Sequence, residues 1–218
     1  MSEAVTGVLA QALADDVAAA AVTVARRLTA DAALWCLGPA DLPHAQRLIG
    51  ADPVSVARGC VRAGDLIVAV DGTDDPAVRS VLRRAPAWGA TTIWIGHGTR
   101  PPAGSADHVL WIGDGAGTDP AAIYYQLWEQ AQRWLDQPGQ LPPEPAACTA
   151  EVCVTCSDEG RLGEVIAPDP SGDGRALVRT ATGQELIDAL LVHPVEAGDL
   201  VLVHAGSAIT KLPCEEEN

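Results

Sequence analysis

The chain has 218 residues, with 14 Lys and Arg against 29 Asp and Glu, so its net charge near neutral pH is -15 and its pI is near 4.5. Such a charge repels phosphate backbones and anionic bilayers, which excludes nucleic acid as a partner and a membrane as a docking surface. The length suffices for one large or two small domains, each with its own core. The opening Met1-Ser2-Glu3-Ala4 lacks the basic n-region and apolar core of a signal peptide, and no apolar run approaches spanning length, so a cytoplasmic location is expected. Six cysteines, at 36, 60, 148, 153, 156 and 214, are too scattered for a disulfide framework and are expected to be mostly thiols.

In chain order, residues 3–30 read as a helix, because Ala, Leu and Val recur without Gly or Pro after Gly7. Leu34 to Leu37 reads as a buried strand stopped by Gly38-Pro39, with residues 40–48 as the helix behind it. Leu66-Ile67-Val68-Ala69-Val70 is a continuous apolar run between Gly64-Asp65 and Asp71-Gly72, the pattern of a parallel strand buried on both faces. A helix over 76–87 follows, with Asp74 or Asp75 as its cap and Pro76 in its first turn. Strands over 91–95 and 108–112 and a helix over 120–135 complete this half. Strands alternating with helices predict βαβ units and a parallel α/β sheet.

Three stretches of this half, Gly64 to Val70, Ala87 to Gly96 and Ser105 to Leu110, resemble the sugar isomerase (SIS) domains of the phosphoheptose isomerase type. The resemblance implies a flavodoxin-type sandwich over residues 1–136. Such domains cradle a sugar phosphate with hydroxyls and backbone N–H groups in the loops after the first two strands. Here those loops read Gly38-Pro39-Ala40-Asp41 and Asp71-Gly72-Thr73-Asp74-Asp75-Pro76, so proline removes a donor and carboxylates stand where a dianion would sit. The expected acid-base histidine near the last helix is replaced by Tyr124-Tyr125-Gln126. The expectation is therefore a domain that keeps the fold, has no catalytic residues and is not an enzyme. Its helix over 120–135 could still pair with a second copy, as SIS domains commonly do.

Residues 137–149 carry four prolines between Gln137 and Pro145 and read as a semi-rigid linker. Beyond it, residues 150–218 hold short runs at 162–166, 176–179, 185–187 and 190–192. Turn residues separate them at 168–174, 182–183 and 194–198. Short strands at this spacing predict a small antiparallel barrel. Cys153 and Cys156 form a C-x-x-C pair, which can place two thiolates on one metal, form a redox disulfide, or do neither. Zinc would want a second pair of ligands, and Cys148, His204 and Cys214 have no zinc-finger spacing.

The stretch Ala197-Gly198-Asp199-Leu200-Val201-Leu202-Val203-His204-Ala205-Gly206-Ser207-Ala208-Ile209 resembles the closing strands of the HypC/HupF [NiFe]-hydrogenase maturation chaperones. That family is a small barrel similar to an OB-fold, with a functional cysteine just ahead of its first strand. Here Cys156 or Cys153, ahead of Gly160 to Ile166, stands in that place. The resemblance implies an assembly chaperone whose cargo is an Fe(CN)2CO centre. By the same resemblance it shares that cargo with a HypD-type iron scaffold protein and delivers it to the hydrogenase large subunit precursor. It implies that Cys153 or Cys156 supplies the thiolate ligand, with His204 beside it; zinc is the alternative metal. Family members carry that cysteine as their second residue, whereas here a whole domain precedes it. The alternative is a sugar-phosphate isomerase or sugar-phosphate-binding protein with an accessory barrel.

Overall fold

A computed structural model describes residues 3–38, 42, 46–48, 53–71, 75–113, 119–143 and 160–213. The chain divides into two compact units, one formed by residues 1–83 and 91–143, the other by residues 84–90 and 144–218.

The first unit is built on a five-stranded sheet in which β1 (Leu34–Leu37), β2 (Gln46–Arg47), β3 (Leu66–Val70), β4 (Thr91–His97) and β5 (His108–Ile112) lie in the order β2-β1-β3-β4-β5. All four pairings are parallel. The expected parallel α/β domain is what forms, with the strand order of doubly wound flavodoxin-type sheets. All five residues of β3 are buried, because the sheet is covered on both faces. Helices α1 (Glu3–Thr29) and α4 (Pro120–Asp136) cover one face, where Val17, Ala20, Ala21 and Val24 meet Ile123, Tyr124 and Leu127 over Leu66, Val68, Ile93 and Leu110. The small alanine surface of α1 permits this close approach. Asp119 caps α4 by accepting from the Ala121 N–H at 2.9 Å, with Pro120 at the first helical position.

One expectation for this half is corrected, and one helix was not foreseen. Residues 40–48 do not read through as a helix: Gln46 and Arg47 are extended and pair in parallel with Trp35 and Cys36. The open edge of β1 offers unpaired backbone groups, and pairing with it outweighs the local helical preference of so short a segment. Helix α2 (Pro53–Cys60) has no counterpart in the sequence reading; Gly59 near its end and its short length hid its periodicity. Helix α3 (Pro76–Trp88) agrees closely with expectation. After α4 the chain turns through a short 3-10 segment, Pro138–Gln140, and Arg26 donates to the Pro142 carbonyl at 2.9 Å.

The second unit contains a closed barrel of β6 (Arg161–Pro168), β7 (Arg175–Thr180), β8 (Gly183–Asp188), β9 (Leu200–His204) and β10 (Ser207–Lys211), in the order β10-β8-β7-β6-β9. Alternation along each strand points Val165, Ala176, Val178, Ile187, Val201, Val203 and Ala208 into one small core. The expected barrel forms, with one difference in its pairing. Four contacts are antiparallel, but β10 meets β8 in parallel through the single register pair Ser207 and Asp188. The run 190–192 is a 3-10 turn rather than a strand, and its Leu190 and Leu191 are exposed.

Candidate functional site

The stretch from Ala197 to Ile209 folds as turn, strand, turn and strand. Glu196 to Asp199 closes a tight turn: the Asp199 N–H donates to the Glu196 carbonyl at 3.1 Å and the Glu196 N–H to Asp199 Oδ2 at 2.7 Å. Gly198 sits at φ 95°, a conformation glycine adopts without steric cost. Lys211 Nζ reaches the same Asp199 oxygen at 2.6 Å, so this largely buried carboxylate joins the start of β9 to the end of β10. The strands are linked by Ala205 and Gly206, at φ 48° and 80°, the two left-handed residues of a type I′ hairpin turn.

His204 is the last residue of β9 and is half-buried. It lies opposite Ser207 across the hairpin. Val201 and Val203 point into the core, so alternation places His204 on the outer face of the barrel with Leu202. On its other side β9 pairs with β6, Arg161 opposite Val203. Continued by one residue, that antiparallel register sets Gly160 opposite His204. A Cβ on Gly160 would lie 2.9 Å from Leu202, so the backbone passes tightly over β9 at this point. Cys153 and Cys156 lie outside the described residues. Among the cysteines within them, Cys36 is buried and Cys60 is exposed.

The same end of the barrel carries an ion pair between the first residue of β6 and β8. Arg161 Nη2 donates to Glu185 Oε2 at 2.6 Å, while Glu185 Oε1 is buried and accepts no hydrogen bond from the described residues. Further along β6 stands Glu164, 1% exposed. Its Oε2 accepts from Trp88 Nε1 at 2.6 Å and its Oε1 from Arg84 Nε at 3.2 Å. Arg84 also donates to the Gly198 carbonyl at 3.0 Å, and the Arg179 guanidinium lies 5.7 Å from the centre of a Trp88 ring. These groups tie residues 84–90 to β6, β7 and the turn before β9. Sequence reading missed this network; its only signal is a lone glutamate inside the apolar run Leu162 to Ile166.

The closed five-stranded barrel thus carries, at the end of β9, a histidine beside the entry of β6. The model of the HupF/HypC family matches residues 160–218, so the resemblance of the C-terminal part to those hydrogenase maturation proteins holds. The match begins at Gly160 and therefore includes His204 but neither Cys153 nor Cys156. No curated protein matches the chain. No helix of the described residues is long and apolar enough to cross a membrane.

Proposed function

We propose that this chain is a cytoplasmic, non-enzymatic maturation factor for [NiFe] hydrogenases. Its barrel holds an Fe(CN)2CO centre, shared with a HypD-type scaffold protein, and delivers it to the large subunit precursor. The observation that carries this reading is the barrel itself, since it coincides with the stretch that matches the HupF/HypC family. A thiolate from Cys156 or Cys153 suits low-spin iron and exchanges readily, as a transfer ligand must. Only Ser157, Asp158 and Glu159 stand between Cys156 and Gly160, which the continued β6–β9 register sets opposite His204. Fully extended, that connection spans at most about 14 Å, so chain length permits both side chains to approach one centre. The α/β domain supplies docking or dimerisation surface. The exposed Asp71 at the end of β3 argues against a sugar phosphate there, because it sets a negative charge where the dianion would bind.

The test is anaerobic purification of the tagged protein from its own host, with identification of what accompanies it and an infrared spectrum. Cyanide and carbonyl stretching bands are expected, with a hydrogenase large subunit or iron scaffold protein bound. Cys153→Ala with Cys156→Ala should abolish both the bands and hydrogenase maturation. A spectrum without such bands, together with a co-purifying sugar phosphate, would move the function to the α/β domain. Stoichiometric zinc lost in the cysteine variants would instead mark a zinc or redox protein.

A further inference from the structure

Strand β8 keeps an open edge. Its pairing with β7 runs unbroken from Thr180 and Gly183 to Arg175 and Asp188, so one side of β8 is satisfied. On the other side the Asp188 N–H donates to the Gly206 carbonyl at 3.0 Å. Backbone groups alternate in direction along an antiparallel strand, so Leu186 and Gln184 aim their N–H and C=O groups the same way as Asp188, away from β7. Among the described residues no strand pairs with them there. β10 meets β8 only at Ser207 and Asp188, and continuing that parallel register would set Ala205 level with Leu186. By then the chain has turned back through Gly206 and Ala205 into β9, so it offers Leu186 and Gln184 no partner.

That edge is accessible and unguarded. Gln184 and Leu186 are exposed, Leu186 to 51%. Soluble proteins close such edges with lysine, proline or a bulge. β8 has none of these between Gly183 and Asp188, although register shifts interrupt β6 and β10. The charge between the two residues, Glu185, is paired with Arg161.

The chemistry of the edge identifies what fits it. Alternating N–H and C=O groups at the spacing of alternate strand residues are matched by another extended backbone. A second copy of this chain is a poor source of one, because it carries the same charge of -15. An edge from Gln184 to Leu186 also falls far short of the surface, about 800 Å² per partner, that a stable dimer buries. The same negative charge, with Asp188 exposed at the end of the edge, favours a segment that bears basic residues. Leu186 selects an apolar side chain opposite it on the outer face.

We propose that the β8 edge from Gln184 to Leu186 takes up an extended segment of a partner protein by strand addition, the segment being apolar at alternate positions and basic between them. The docking is independent of what the barrel carries. Its probe is a capped hexapeptide of alternating valine and lysine, titrated into the isotope-labelled full chain and followed by amide NMR. The Gln184 and Leu186 amides should move downfield saturably and gain protection from solvent exchange. The same peptide with every backbone N–H methylated keeps its charge but loses its donors, and should bind about tenfold more weakly or worse. Leu186→Pro removes an N–H that no strand of the described residues pairs with, so circular dichroism should match the parent while peptide affinity falls about tenfold or more. Leu186→Ala, which keeps that N–H, should lose less, and Gln184→Pro repeats the test if Leu186→Pro does not fold. A parent that does not bind the peptide, shifts that miss Gln184 and Leu186, or equal affinity for the methylated peptide would overturn the assignment. So would sedimentation showing a dimer of the parent that Leu186→Pro abolishes, because the occupant would then be a second copy.

Discussion

Glu164 is the most confined charge among the described residues of the barrel unit, and its environment fixes what its removal costs. Trp88→Phe keeps an aromatic ring in a fully buried position but removes the 2.6 Å indole hydrogen bond to Glu164 Oε2. A hydrogen bond to a charged group is worth about 1.5–3 kcal/mol. The ring stacked near Arg179 contributes about 0.5–1 kcal/mol more through its face, part of which phenyl retains. Trp88→Phe should therefore cost about 1.5–3.5 kcal/mol. Glu164→Gln leaves one oxygen to accept from the indole but turns an amide toward the Arg84 guanidinium, 3.2 Å away, at a cost of about 1–3 kcal/mol. The decisive quantity is the coupling between the two changes. Urea unfolding of both single variants and the double variant should give an interaction energy within the range of about 0.5–3 kcal/mol expected for directly bonded groups. Additive effects in that cycle would show that the indole and the carboxylate do not sense one another, and the account of the buried network would fail.

Two further outcomes are expected. Ala205→Asn should stabilise the β9–β10 hairpin by up to about 1 kcal/mol in chemical denaturation, since Asn-Gly suits the two left-handed positions that Ala205 and Gly206 occupy. Burial holds the His108 pKa below its ordinary value, against the opposing pull of Asp107 and Asp16, while its ring bonds Thr23 Oγ1 at 3.0 Å. The unfolded state then binds more protons than the folded one. The stability this neutral histidine contributes is full above about pH 6.5 and is lost as pH falls below it. Melting temperatures recorded from neutral to mildly acid pH should fall less steeply in His108→Gln than in the parent, and identical slopes would refute the role of this ring.

The parts legible in the sequence are those where one rule governs a whole segment. β3 announces itself because five apolar residues in a row, between Gly64-Asp65 and Asp71, suit a strand covered on both faces. Helix α4 is as plain, from Asp119 and Pro120 at its start. The β9 and β10 strands could be read from Ala197 to Ile209 through that stretch's resemblance to the closing strands of the HypC/HupF barrels. β2 escaped because two residues become a strand only through the edge of β1, a partner remote in sequence from any local rule. Leu190 to Val192 misled for the opposite reason: its composition suits a strand, but Asp188 Oδ1 accepts from the Leu190 N–H at 2.9 Å and turns the chain. Around the candidate site, the strand that bears His204 was legible, whereas the pairing of Glu164 with Arg84 and Trp88 was not. A hydrogen bond between positions 76 residues apart leaves no periodic trace.

The barrel closes through one parallel bridge, between Ser207 and Asp188, supported by the Asp188 N–H donating to the Gly206 carbonyl at 3.0 Å. Every other strand pair is stitched by a ladder of four or more register pairs. The cylinder thus behaves as a rolled sheet fastened by a single clasp. Thermal breathing should unroll it at the β8–β10 seam first, so amide protons there should exchange with solvent well before those of β6 and β7. The hairpin that bears His204 borders that seam.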